Sequence, residues 1–319
     1  MQDAIRRLTR RFLVAAACWL AVTPVVHAQN EGDAFVIVGA GQPAVERMLR
    51  DFAAEMEDFT DGRAKIAVES GLVSSATVLD QVQSGERLMG WVPLADVAHL
   101  APALAALTVP YLFADPSKPF ELLEPTKLGP LLSDQLREVG LEPLAYFDLG
   151  GLHLAGTGDP AEPDAAGQEL VARSGELTTR AFEALASAES SGDAVLKEVD
   201  DATLVEMGDE AKGMRVSRGA HAREIVVLVA KRDGFEDLAL DIQETTKTKL
   251  TERAAAQRNA ARLLDTQAIE SFEAAGGQAV DLPEERRAAL QAKVREVVEE
   301  ALRDTGDPSI LRTILAYAD

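Results

Sequence analysis

Val36-Ile37-Val38-Gly39-Ala40-Gly41-Gln42-Pro43-Ala44 is the stretch of this sequence that comes nearest to a chemical motif. A strand entering a helix through paired glycines is the pattern that lets a backbone approach a pyrophosphate, with a later acid, here Glu69, on the ribose. The fit is incomplete. The third glycine is replaced by Ala44, Pro43 removes an amide, and Glu69 lies farther along than the about 20 residues expected. A plain strand-to-helix turn is the simpler reading. Hydrolytic chemistry finds less support: His99 and His153 have no serine and acid at a recognisable spacing, and Cys18 is the only cysteine. The acid pairs Asp200-Asp201, Asp209-Glu210 and Glu284-Glu285 read as solvated faces in so acidic a chain. No HExxH or EF-hand spacing occurs. The residues therefore predict a non-enzyme without cofactor or metal. Gly39, Gly41 and Glu69 leave an exported dinucleotide- or flavin-binding oxidoreductase as the reading from another class.

The chain has 319 residues, 47% of them hydrophobic, and a net charge of −21 with its acids spread along the length. That length suffices for two domains, each with its own core. Nucleic acid is excluded as a partner, because phosphate binding needs a basic face. The first 28 residues read as a signal peptide: Arg6, Arg7, Arg10 and Arg11, then an apolar run from Phe12 to Val26, then Val26-His27-Ala28 as an A-x-A-like site. Thr9 to Val14 is similar to a twin-arginine signal and Ala15 to Cys18 to a lipobox, but plain cleavage after Ala28 is the reading adopted. Loss of four arginines and Asp3 takes the mature chain to near −24. It then has no cysteine, so disulfides and zinc-thiolate sites are excluded. No later stretch reaches the roughly 18 apolar residues of a membrane span.

Positioning elements follow from periodicity. Ala34 to Val38 predicts a strand, Pro43 opens a helix carrying Val45, Met48, Leu49, Phe52 and Met56, and Lys65 to Glu69 alternates as a second strand, a βαβ start. Val78, Leu79 and Val82 mark a short helix stopped by Gly85; Leu88 to Val92 is a buried strand ended by Pro93. Two short helices lie between Asp115 and Val139. Leu141 to Phe147 is a strand, Asp148 to Gly151 is where the chain leaves the first domain, and the surroundings of Gly156, Gly158 and Pro160 are loop. Gly167 to Arg173 predicts a strand, Leu177, Ala181 and Leu185 a helix, Ala194 to Asp200 a short helix, and Glu224 to Lys231 a buried returning strand. Glu236 to Ala275 is one long helix stopped by Gly276-Gly277, with Gln257 the one polar residue on its apolar stripe. A short strand, a helix opened by Pro283 and a last amphipathic turn from Pro308 complete the chain.

The succession VLDQVQSGERLMGWVP, then VPYLF, then a long helix followed by AAGGQAVDLPEERRAAL, resembles the solute-binding proteins of tripartite ATP-independent periplasmic (TRAP) transporters, the DctP-like family, with a divergent second lobe. The motifs are specific in the first domain and the C-terminal third. The resemblance implies an α/β fold, a two-lobed periplasmic binding protein of type II-like form with hinge strands and a long helix spanning both lobes. Lobe I would be 33–150 plus 224–255, lobe II 151–223 plus 265–319, and the bridging helix 236–275.

Function follows as an implication of the same resemblance: a periplasmic, monomeric receptor that captures a small-molecule solute, by family default an organic acid, through hinge closure and delivers it to TRAP permease membrane subunits. A binding protein whose cleft no longer holds a solute and which serves a partner is the variant reading. Gln42 belongs to the first turn that faces the cleft in such receptors. Trp91 and Pro93 end a strand where strand ends meet a cleft, although Trp91 reads equally well as core. The family's carboxylate-binding arginine falls on Val171, leaving Arg173, two positions along, as the displaced guanidinium. Other family positions fall on Leu152, on or near Asp193, and on Glu210 beside Asp209. Acids there would repel a carboxylate and favour a neutral or cationic ligand, with Asp209 and Glu210 as its contacts.

Overall fold

The structure is a computed structural model, describing residues 35–39, 41–71, 73–173, 175–186, 194–303 and 308–318. The expected leader, Ala40 and Asp193 lie outside these. β1 (Phe35–Gly39), α1 (Pro43–Phe59) and β2 (Ile66–Ser70) form the βαβ start, β1 and β2 pairing in parallel. α2 (Ser75–Ser84) is capped by Ser74, whose hydroxyl accepts the Thr77 N–H, and closed by Gly85 in the left-handed region at φ 81°. β3 (Met89–Pro93) lies parallel to β1. A buried passage of 3-10 turns and α3 (Pro102–Ala105) leads to α4 (Lys118–Leu122) and α5 (Gly129–Glu138), which Gly129 and Pro130 open.

β4 (Leu141–Gly156) follows, then β5 (Gln168–Val171), α6 (Glu176–Leu185), β6 (Ala194–Asp200), α7 (Asp201–Glu206), β7 (Arg215–Ser217) and β8 (Ala222–Lys231). α8 (Arg232–Glu236), α9 (Leu240–Ala274), β9 (Gln278–Val280), α10 (Glu284–Leu302) and α11 (Pro308–Ala318) complete it. The strands make one mixed sheet in the order β2-β1-β3-β8-β4-β6-β5, with β7 attached beside β4 and β9 beside β7. Long β4 and β8 run antiparallel to each other through its middle. α9, of 35 residues, is about 50 Å long. Its Leu250 and Ala254 join the core of Phe52, Trp91 and Phe147, while its Ala268, Ile269 and Phe272 join a separate core with Ala155, Leu204 and Val216. One helix thus packs against two hydrophobic clusters, as a brace must. Two lobes joined through hinge strands is the form of this α/β fold.

Three sequence expectations are corrected. The segment 194–200 is a strand: Leu196, Glu198 and Asp200 point inward and Lys197 outward, a period of two that pairing with β4 and β5 enforces on both edges. β4 does not end at Phe147 but continues to Gly156 through an irregularity between Asp148 and Gly151. Gly150, at φ 110°, is needed there, since a side chain on it would strike Asp201. Finally, Arg173 lies past the end of β5, so it is placed by a loop contact and not by the strand's pleat.

Candidate functional site

Strand ends and the β4 irregularity converge on a small cleft. Pro93 of β3, Leu152 of β4, Glu198 of β6, Arg223 and Glu224 of β8, Thr178 of α6 and Arg173 line it. Its free volume is about 20 Å³, room for about one water molecule. Arg173 is fixed at three points. Its backbone N–H donates to Glu198 Oε2 at 3.0 Å, its Nη1 donates to Asp200, and the same nitrogen lies 3.1 Å from Glu224 Oε2. Burial pushes the Asp200 carboxyl up, but Arg173 and Thr203 together hold it below its usual range. Glu224 behaves oppositely. Its burial, reinforced by Asp200 and Glu198, outweighs the attraction of Arg173 and pushes its pKa up to about 7. One arginine between two acids therefore leaves Asp200 charged and lets Glu224 hold a proton near neutrality.

Glu198 also accepts from His221 Nε2 at 2.9 Å. Burial lowers the His221 pKa against the pull of Glu198, so the ring is neutral with its proton on Nε2. It packs 5.2 Å from the Tyr111 ring and 5.9 Å from that of Phe182. At the hinge, Arg223 donates to both Asp148 oxygens at 3.0 and 2.9 Å and to Asp265 at 2.6 Å. Both guanidiniums of the cleft are thus matched by carboxylates of the chain itself.

The candidates from the sequence separate into groups. Pro93 and Arg173 line the cleft. Trp91 does not: it is fully buried, and its indole N–H donates to the Gly41 carbonyl at 3.0 Å. A Cβ on Gly39 would overlap the Trp91 ring, so packing explains why Gly39 has no side chain, and Glu69 pairs with Arg87 at 2.9 Å. All three residues that suggested a dinucleotide site, Gly39, Gly41 and Glu69, thus have contacts within the chain. Gln42 sits at φ 55° ahead of α1, outside the cleft lining. Asp209, with a side chain 92% exposed and bound to Lys212, and exposed Glu210 lie on a 3-10 turn that the cleft does not include. Glu198, Asp200, His221 and Glu224 were not foreseen. The alternation in LKEVD was the available signal, and a helical reading of 194–200 conceals it.

Residues 36–188 match the family described as bacterial extracellular solute-binding protein, family 7 (DctP). A protein of Sinorhizobium fredii (strain NBRC 101917 / NGR234), y4mM, is 28% identical over 190 residues, or 56% of this chain, and the match spans only 35% of that relative's length. A TRAP periplasmic solute binding protein from Ochrobactrum anthropi, its C-terminus bound in the ligand binding pocket, superposes with a TM-score of 0.77 at 19% identity, covering 89% of this chain and 94% of that one. One from Desulfovibrio salexigens, with bound orotic acid, gives 0.75 at 15%, covering 89% and 98%. DctP7 of Bordetella pertussis, an extracytoplasmic solute receptor binding pyroglutamic acid, gives 0.75 at 18%, covering 89% and 99%. Residues 36–188, just under half of the chain, carry the match to that family, and the described residues have the fold of the TRAP periplasmic receptors.

Proposed function

We propose that this chain is a periplasmic solute receptor of a TRAP-type transporter, exported with cleavage after Ala28, which closes lobe I (33–150 plus 224–255) and lobe II (151–223 plus 265–319) around a small solute and delivers it to the membrane permease without catalysing a reaction. The observation that carries the reading is Arg173 beside Pro93 and Thr108 in a cleft crossed by β4 and β8, the two strands that join the halves of the sheet. With room for about one water, the cleft must open to admit a solute and close again over it, so contacts made only in the closed form shift the balance. No helix of the described residues is long and apolar enough to cross a membrane.

The bound acids of the similar structures make a carboxylate the first ligand class to try here. In this chain a carboxylate must compete with Glu224 for Arg173. Protonation of Glu224 removes that competitor, so solute binding is coupled to proton uptake. A thermal-shift screen of the mature chain with organic acids, neutral polyols and amines tests the reading. Stabilisation by an organic acid, lost in Arg173→Gln, supports it. Stabilisation by amines alone makes the ligand cationic. No response to any class, or a response only to flavin or nicotinamide dinucleotide, overturns it.

A further inference from the structure

Between α4, β4 and α9 lies a groove of about 610 Å³, thirty times the free volume of the cleft, within the usual size of small-molecule sites. Arg223 lines both cavities. Its charges are unevenly matched. Asp148 and Asp265 bind Arg223, Glu121 binds Lys118 at 2.9 Å, and Asp115 accepts from Ser117 at 2.8 Å. Arg258 and Arg262, one turn apart on α9, have no acid within ion-pair distance among the described residues, and the lining holds two acids, Asp115 and Glu124, with no cation in that range. Arg262 reaches only Asn259 Oδ1, at 3.5 Å, too long for a good hydrogen bond. Arg258 is half-buried and its guanidinium carbon lies 5.6 Å from the centre of the Phe120 ring. Burial lowers its pKa, with only distant Asp148 and Glu124 opposing. Two guanidiniums without a carboxylate partner among the described residues, in a chain of net charge −21, are unusual company for an apolar wall of Phe120, Leu123, Leu144 and Tyr146.

We infer that this groove is a second binding site, separate from the cleft, for a small carboxylate on a flat apolar body, with Arg258 and Arg262 holding the anion and Phe120 and Tyr146 the body. Arginine suits that role because its planar fork matches a carboxylate at two points and its face packs on aromatic rings. The site does not depend on what the cleft binds.

Isothermal titration of the mature chain with benzoate, benzylammonium and inorganic phosphate tests it, with the same titrations on Arg258→Gln/Arg262→Gln, Arg258→Lys and Arg173→Gln. Saturable benzoate binding is expected. It should weaken tenfold or more in the double variant, less in Arg258→Lys, and stay unchanged in Arg173→Gln, with benzylammonium inert and phosphate weaker than benzoate. Thermal melts of the ligand-free variants verify that they are folded, and Arg258→Lys decides the matter if the double variant is not. Absence of saturable benzoate binding, equal binding by the charge-removing variants, or preference for benzylammonium overturns the inference.

Discussion

Arg173 Nη1 stands 3.1 Å from Glu224 Oε2, and that carboxyl nevertheless has its pKa raised to about 7. Desolvation at a site where Asp200 and Glu198 crowd the same space outweighs a single shared guanidinium. The consequence is a pH-dependent stability. Glu224 keeps its proton in the fold to about pH 7 but loses it near 4.5 in the unfolded chain, so its contribution is full below about 4.5 and declines as pH rises through about 7. His221 acts with the opposite sign: its lowered pKa adds stability as pH rises toward its ordinary 6.5. Urea midpoints of wild type and Glu224→Gln at pH 5, 6, 7 and 8 should show the variant gaining on wild type with pH, by up to about 3 kcal/mol. A gap that does not change with pH would show that Glu224 does not titrate in this window.

Solute binding should carry the same proton. Any carboxylate that stabilises the protein should bind more tightly at pH 6 than at pH 8, and Glu224→Gln should bind it with little pH dependence and at least as tightly as wild type at pH 6. Titration calorimetry in buffers of differing ionisation heat measures the proton taken up. Tighter binding at pH 8 would place the carboxylate away from Arg173.

Gln257 clamps the strand at its irregularity. Its Oε1 accepts the Asp148 N–H at 2.8 Å and its Nε2 donates to the Asp148 carbonyl, so one side chain satisfies both backbone groups of the residue at which regular pairing with β8 breaks off. Gln257→Leu strands two buried polar groups and should cost about 2–4 kcal/mol, measured by urea unfolding. A cost below about 0.5 kcal/mol would mean that water replaces the amide there.

Gly39 is tested by enlargement. Gly39→Ala drives a methyl group into the Trp91 ring and should destabilise by several kcal/mol, since overpacking typically costs about 1–3 and the ring has no free space to move into. Trp91→Phe removes the donor to the Gly41 carbonyl and should cost about 1–3 kcal/mol. Thermal unfolding of both checks the assignment. Unchanged stability in Gly39→Ala would return this glycine to a ligand-facing role.

The sequence by itself determined most of the elements. Periodicity located α1 through Val45, Leu49, Phe52 and Met56, and α6 through Leu177 and Ala181, all of them buried. Gly85 and Gly276, at φ 81° and 99°, stopped their helices, because only a residue without Cβ enters that region freely. The same period revealed a helix long enough to brace two cores. What only the tertiary structure decided is the charge pattern of the cleft. Arg173, Glu198, Asp200 and Glu224 come from three separate segments, and a polar residue in a strand looks the same in sequence whether it faces water or a buried arginine. The reading of 194–200 as a helix failed for that reason: β4 and β5 on either side, and not local propensity, make it a strand. Gln257 shows both halves of the lesson, visible as the one polar break in an apolar stripe, yet explained only when Asp148, 109 residues away, arrives beside it.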